Sequence, residues 1–177
     1  MNRLKLYIII GTLFVLVTGT LSHFVYGWTG NNPAAGLFFP VNESTWEHMK
    51  LVFFPTLVYG IFLYNKLREE YPCIKAAIPA GILAGTFSVP VLFYTYSGIL
   101  GKDNFILDIA VFILSVLIAF RIISRVARAD EGKHLCTKTT ATLLSIAVVL
   151  LAVSFMLFSY NPPKLGIFAE PPATMQE

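Results

Sequence analysis

The chain has 177 residues and a formal charge of +3; 56% of its residues are hydrophobic and 13% are charged, with a mean hydropathy of +0.70. An average soluble domain is about 25% charged, so this composition excludes an ordinary water-soluble domain and points to a polytopic membrane protein whose first partner is the lipid bilayer. The basic residues are spread through connecting segments and form no stripe, which excludes nucleic acid as a partner.

Residues 4–26 follow Arg3 and are apolar apart from Lys5, a few small hydroxyl residues and His23. About 20 such residues cross the roughly 30 Å of bilayer hydrocarbon, so the stretch predicts a first spanning helix. A cleaved signal peptide with its apolar core over 6–17 is the competing reading. Apolar character continues through Leu21, Phe24, Val25 and Trp28, beyond a typical signal core, and this favours a retained helix. Residues 27–39 mix the turn formers Gly27, Gly30, Asn31-Asn32-Pro33 and Gly36 with Trp28, Leu37, Phe38 and Phe39. Aromatic side chains favour the headgroup level, so this connector is expected to lie at the membrane interface between helices 1 and 2.

The stretch Pro40-Val41-Asn42-Glu43-Ser44-Thr45-Trp46-Glu47-His48-Met49-Lys50 then interrupts the apolar sequence with two carboxylates, an imidazole, an amide, two hydroxyls and an ammonium. Ser44 and Glu47 stand in capping-box spacing, with Asn42 as an alternative cap. The apolar run 51–64 holds 14 residues and spans only about 21 Å as a helix. A second span must therefore draw in residues from its polar side, giving about 45–66 and placing Glu47 and His48 near the edge of the hydrocarbon. Pro55 falls inside this helix and should kink it.

Residues 65–75 read as a hydrophilic loop. A third span covers about 74–97, with Pro79, Pro90 and the close-packing spacing Gly81-xxx-Gly85. The fourth, about 105–123, carries Asp108 in its first turn, where a carboxylate also complements a helix N-terminus. The fifth, about 139–160, is closed by Asn161-Pro162-Pro163, and 164–177 reads as a mobile tail. The expectation is a single all-α membrane domain, a five-helix bundle. Arg3, Lys5, Lys66, Arg68, Lys75, Arg121, Arg125, Arg128, Lys133 and Lys138 fall on one side of it, and Lys50, Lys102 and Lys164 on the other. Ten basic residues against three place the N-terminus in the cytoplasm and the C-terminus outside. Cys73 and Cys136 both lie on the cytoplasmic side in this reading, where thiols stay reduced, so no disulfide is expected.

With this topology, polar groups distant in sequence reach one depth. His23 lies about 29 Å along the first helix, Tyr94 and Tyr96 end the third, Asp108 begins the fourth, and Asn42, Glu43, Glu47, His48 and Lys50 surround the entry to the second. Ionisable groups near membrane depth are costly unless paired or hydrated, which makes this a functional-site hypothesis. If the second helix includes Glu43, then Glu43, Glu47 and Lys50 share one face, and a shared proton, a protonated histidine or a bound cation can relieve the repulsion between the carboxylates. His23 and His48, from two helices, with Glu43, Glu47 or Asp108, form a nitrogen and oxygen set compatible with a divalent metal such as zinc. Glu43, Glu47 and His48 are the candidate catalytic groups. No His-Glu-x-x-His, Gly-x-Ser-x-Gly or phosphate-loop motif is present, and position 44 is serine where an inverted zinc-protease motif needs histidine. Helix capping by Asn42, Ser44 and Glu47, pairing of Glu47 with Lys50, and anchoring at the headgroups is the competing structural account.

The residues Ser22-His23, Tyr26-Gly27-Trp28, Asn31-Asn32-Pro33, the stretch 40–50 and Phe53-Phe54-Pro55 resemble an uncharacterised family of small bacterial polytopic membrane proteins with a Pro-Val-Asn-Glu-Ser-x-Trp-Glu-His-x-Lys signature. The resemblance is specific over residues 22–55. It implies the fold, a multi-pass location in a bacterial plasma membrane and the place of interest, and it supplies no chemistry. Three functions follow from the residues: binding or transport of an ion or small polar solute; a membrane-embedded, metal-dependent hydrolase or transferase; or an accessory subunit whose partner is another membrane protein or a second copy of the chain. Transport requires a polar route across the membrane, and the inner halves of the predicted helices carry almost no ionisable residue.

Overall fold

The computed structural model describes residues 3–129 and 136–170. Lys133, counted above among the basic residues, and the tail residues 171–177 lie outside them. The described residues are helical throughout, with no strand. The long helices are α1 (Arg3–Trp28), α3 (Thr45–Leu67), α4 (Ile74–Leu100), α5 (Phe105–Ala127) and α6 (Lys138–Phe158); α2 (Pro33–Gly36) is one short turn between α1 and α3.

Four of these helices, α1, α4, α5 and α6, are long and apolar enough to cross a membrane. The exception is α3, whose polar entry and Asn65-Lys66 exit dilute its apolar middle. It is nevertheless the helix most enclosed by protein, packing on α1, α4, α5 and α6, with Met49, Val52, Phe53 and Leu63 fully buried. The face it turns to its neighbours, Thr45, Glu47, Lys50 and Thr56 included, lies against protein and need not be apolar, while Val58, Ile61 and Phe62 on its second half are exposed. The outer helices show the reverse pattern. Leu13 and Val17 of α1 and Leu143, Leu150 and Leu157 of α6 are exposed, which suits a surface facing hydrocarbon.

Close packing of α4 on α5 depends on Gly81 and Gly85. A methyl group on Gly81 would stand 2.6 Å from the Ala119 carbonyl oxygen, and one on Gly85 would stand 2.6 Å from the Ala119 Cβ. Only hydrogen at these two positions permits the approach. Gly101, with φ of 70°, then ends α4 in the left-handed conformation, its N–H donating to the Ser97 carbonyl.

The alternation of the helices places the end of α1, the starts of α3 and α5 and the ends of α4 and α6 at one face of the bundle. At the opposite face Arg3 pairs with Glu70, and Cys73 is joined to Cys136 by a disulfide, with Cα atoms 4.9 Å apart. This corrects the expectation of two separate thiols. That expectation rests on a reducing cytoplasmic side; both cysteines do lie at one end of the bundle, at the entries to α4 and α6, and the fold joins them across 63 residues. Beyond α6 the chain turns back, and Gly166–Phe168 forms a single 3-10 turn. Phe168 stacks 4.8 Å from Trp46, itself 4.7 Å from Phe155, so this part of the segment expected to be mobile packs on the start of α3.

Candidate functional site

Ser44 determines the geometry of the site. Its backbone is extended, with φ −67° and ψ 151°, and its hydroxyl accepts from the Glu47 N–H at the first turn of α3. Asn42 supports the preceding turn by accepting from the Ser44 N–H at 3.0 Å. Helical phase therefore begins at Thr45, and Glu43 is not part of the helix. The expected face of Glu43, Glu47 and Lys50 does not form, because the extended cap breaks the four-residue spacing and turns the two carboxylates in different directions.

Glu43 turns toward the histidines. Its carboxylate lies 3.8 Å from His23 Nε2 and 3.4 Å from His48 Nε2, and the two imidazole centroids are 5.3 Å apart. One ligand atom from each of the three residues fits within 4.8 Å of the others. His48 Nδ1 is 3.0 Å from the Ser44 carbonyl, an acceptor only, so Nδ1 donates there and Nε2 faces Glu43. The His23 Nδ1 is buried and has no partner among the described residues. A ring nitrogen in that position is free to bear the proton while Nε2 acts as a ligand.

Glu47 turns inward and belongs to a separate structure. Its Oε2 accepts from Lys50 Nζ at 2.7 Å and from the Val41 N–H at 2.9 Å. Lys50 also donates to the Gly36 carbonyl at 2.9 Å and to Ser159 Oγ at 2.5 Å. Both side chains are almost completely buried. This pair fastens α2, the start of α3 and the end of α6 together, and Tyr160 reinforces it by donating to the Pro33 carbonyl at 2.7 Å. Ser159 did not emerge from sequence reasoning; its signal is a hydroxyl at the end of the last span, at the depth of Lys50.

Asp108 does not join the three-residue cluster. It accepts from the Tyr96 hydroxyl, while Asn104 caps α5 by accepting from the N–H groups of Ile106 and Leu107. Tyr94 is exposed and packs on Phe93. The two polar groups, His23-Glu43-His48 and Asp103-Asp108, line one cavity of about 770 Å³ whose remaining walls include Leu51, Val89, Phe93 and Phe112. Asp103, missed in the sequence although it adjoins Asp108, has its carboxyl held above the ordinary range by burial first and by the charge of Asp108 second.

No curated protein and no solved structure matches the chain. A family model does, over residues 1–174: the chain belongs to DUF6512, a family of unknown function.

Proposed function

We propose that the chain is a five-span protein of a bacterial plasma membrane that holds a divalent metal ion of the zinc class between His23, Glu43 and His48 and uses it in hydrolysis. The observation carrying this reading is the convergence of three ligand atoms within 4.8 Å. Ligands about 2.0–2.2 Å from a tetrahedral ion lie about 3.3 Å from one another, so closing the widest separation by about 1.5 Å would complete the site. Two histidines and one glutamate would supply three ligands, the number used in catalytic sites that keep a place for water, and all three residues line the cavity. The Ser44 carbonyl supplies the outer hydrogen bond that orients a ligating imidazole.

A divalent ion in this place would lower the pKa of bound water into the neutral range. In the hydrolysis, the water oxygen bonds to the electrophilic carbon of the substrate, and the bond to its leaving oxygen or nitrogen breaks with the electron pair. The proton removed from water is returned to that leaving atom. Asp103 or Asp108, on the same cavity, is the proposed proton carrier.

The five-span count includes α3 because its polar residues are buried against protein. The N-terminus is assigned to the cytoplasm from the basic residues, which puts the metal cluster on the outer face. A second reading, passage of an ion, has one specific observation in its favour. The hydroxyls of Thr56, Thr86 and Ser115 are buried deep in α3, α4 and α5 with no partner among the described residues. Hydrolysis is preferred because the cavity floor beneath the cluster, at Leu51, Val89 and Phe112, is apolar, whereas a permeating ion needs polar groups in succession.

The deciding experiment is elemental mass spectrometry of the protein purified without chelators, beside His23→Ala and His48→Ala. Near-stoichiometric zinc, manganese or iron in the wild type, lost in both variants, is the expected result. Metal-free wild-type protein that also fails to take up zinc on addition would overturn the reading.

A further inference from the structure

The cavity beside the cluster is polar at one level and apolar at another. Its polar lining lies mostly near helix termini: Glu43, Thr45 and His48 at the entry to α3, Asp103, Asn104 and Asp108 at the entry to α5, and His23 toward the end of α1; Thr20, deeper on α1, donates its hydroxyl to the Leu16 carbonyl of its own helix. Leu51 is six residues inside α3 and Val111 six residues inside α5, each about 9 Å from the start of its helix and one turn below His48 and Asp108. Val89 stands eleven residues before the end of α4, about 16 Å deeper. Because half the hydrocarbon thickness is about 15 Å, the pocket extends from the rim of the bundle to about mid-bilayer depth.

Resting on the metal-site reading above, we infer that the substrate is a single-chain acyl amphiphile with a neutral or amine-bearing head. Its carbonyl would sit at His23, Glu43 and His48, and its chain would run down between α1, α4 and α5. A small polar solute would meet the walls at Leu51, Val89 and Phe93 without a partner for its own donors and acceptors. A hydrocarbon chain has no such requirement. The volume of about 770 Å³ lies within the roughly 300–1,000 Å³ of small-molecule sites, ample for one chain and its head. The charged residues lining this cavity are Glu43, Asp103 and Asp108, with no lysine or arginine among them. These carboxylates disfavour an anionic head and favour an amine.

The test uses full-length, zinc-loaded protein in nanodiscs, titrated by calorimetry with acetohydroxamate and dodecanohydroxamate. Both probes chelate zinc through the same head and differ in chain. Each is measured on wild type and on Ile109→Trp and Thr20→Phe, two variants that place bulk in the cavity from α5 and α1. Comparing variants in identical nanodiscs cancels partitioning of the long probe into lipid. The expected result is a loss of at least about tenfold in dodecanohydroxamate affinity in both variants, the effect of about two to three buried methylenes. Acetohydroxamate affinity and zinc content should be unchanged.

Equal binding of dodecanohydroxamate to wild type and both variants, with zinc and acetohydroxamate retained, overturns the acyl-chain assignment and leaves the metal site standing. Failure of the wild type to bind zinc overturns both. Two variants are used so that a folding defect in Ile109→Trp does not decide the result; Thr20, which is exposed on α1, tolerates a larger side chain with less disturbance. Dodecyl phosphate provides the arm for head charge: binding as tight as that of dodecanohydroxamate would overturn the neutral or amine-bearing head.

Discussion

The Nδ1 of His48 lies 3.0 Å from the carbonyl oxygen of Ser44, the residue whose hydroxyl also caps the helix on which His48 stands. Cap and ligand orientation are therefore one local structure, and the carbonyl leaves His48 Nε2 directed at Glu43. Ser44→Ala keeps the carbonyl and removes the capping hydroxyl. Its expected cost is about 1 kcal/mol of stability, together with a fall in zinc affinity of about tenfold as the first turn loosens. Thermal unfolding and zinc competition on the same preparation check both effects.

The two glutamates in the polar stretch should separate cleanly. Glu43→Gln removes a proposed ligand from an exposed side chain, so zinc content is expected to collapse while the melting temperature of metal-free protein stays within a degree or two. Glu47→Gln leaves Lys50 buried beside an amide, and an unpaired buried charge costs about 3–5 kcal/mol. A marked drop in melting temperature, with zinc retained by the fraction that folds, is the expected result. The reverse assignment of effects would mean that Glu47 is the ligand.

These contrasts mark how far the sequence could be read. The cap at Ser44, the start of the helix at Thr45 and the Gly81-xxx-Gly85 approach follow from local rules, because each involves only a few neighbouring residues or a small side chain at fixed spacing. The partition of the polar residues did not follow. Glu43 and Glu47 are separated in function by the extended backbone at Ser44, and Glu47 finds Ser159, 112 residues away, only after the bundle has assembled. The disulfide is missed for a different reason: the sequence reading puts both cysteines at one end of the bundle, and only the expected reducing compartment argues against their pairing.

Gly85 gives a direct test of the bundle. Gly85→Leu must push α5 away from α4, since a single Cβ would already stand 2.6 Å from the Ala119 Cβ and 2.9 Å from the Ser115 carbonyl. Overpacking of this kind costs about 1–3 kcal/mol. Gly98→Leu on the same helix meets open space and should cost far less. Denaturation in detergent of the two variants side by side measures the difference.

Asp103 gives the pH dependence. Its carboxyl is held above the ordinary aspartate range in the folded protein by burial and by Asp108. Between the unfolded value and this raised value, the folded state binds more protons than the unfolded state, so the slope of unfolding free energy with pH is negative. The stability contributed by the protonated group is complete below the unfolded pKa and is lost as pH rises through the folded one. Asp103→Asn should flatten that part of the stability curve, measured by melting temperature across the acidic range from below the ordinary aspartate pKa upward.

The orientation can be decided with the two cysteines. The orientation proposed from the excess of lysine and arginine would put Cys73 and Cys136 on the cytoplasmic side, whereas a disulfide persists more readily in an oxidising compartment. The two are compatible if the pair is a dithiol in the cell and closes on exposure to air, since the fold already holds the two Cα atoms 4.9 Å apart. A membrane-impermeant maleimide added to intact cells is therefore expected to leave the protein unlabelled even after treatment with a membrane-impermeant reductant, and to label both thiols after lysis under nitrogen. Labelling of intact cells after that reductant would reverse the topology and move the metal cluster to the cytoplasmic face. In either orientation, reduction of the isolated protein should lower its stability by about 2–4 kcal/mol, because the bond closes a loop whose ends are 63 residues apart.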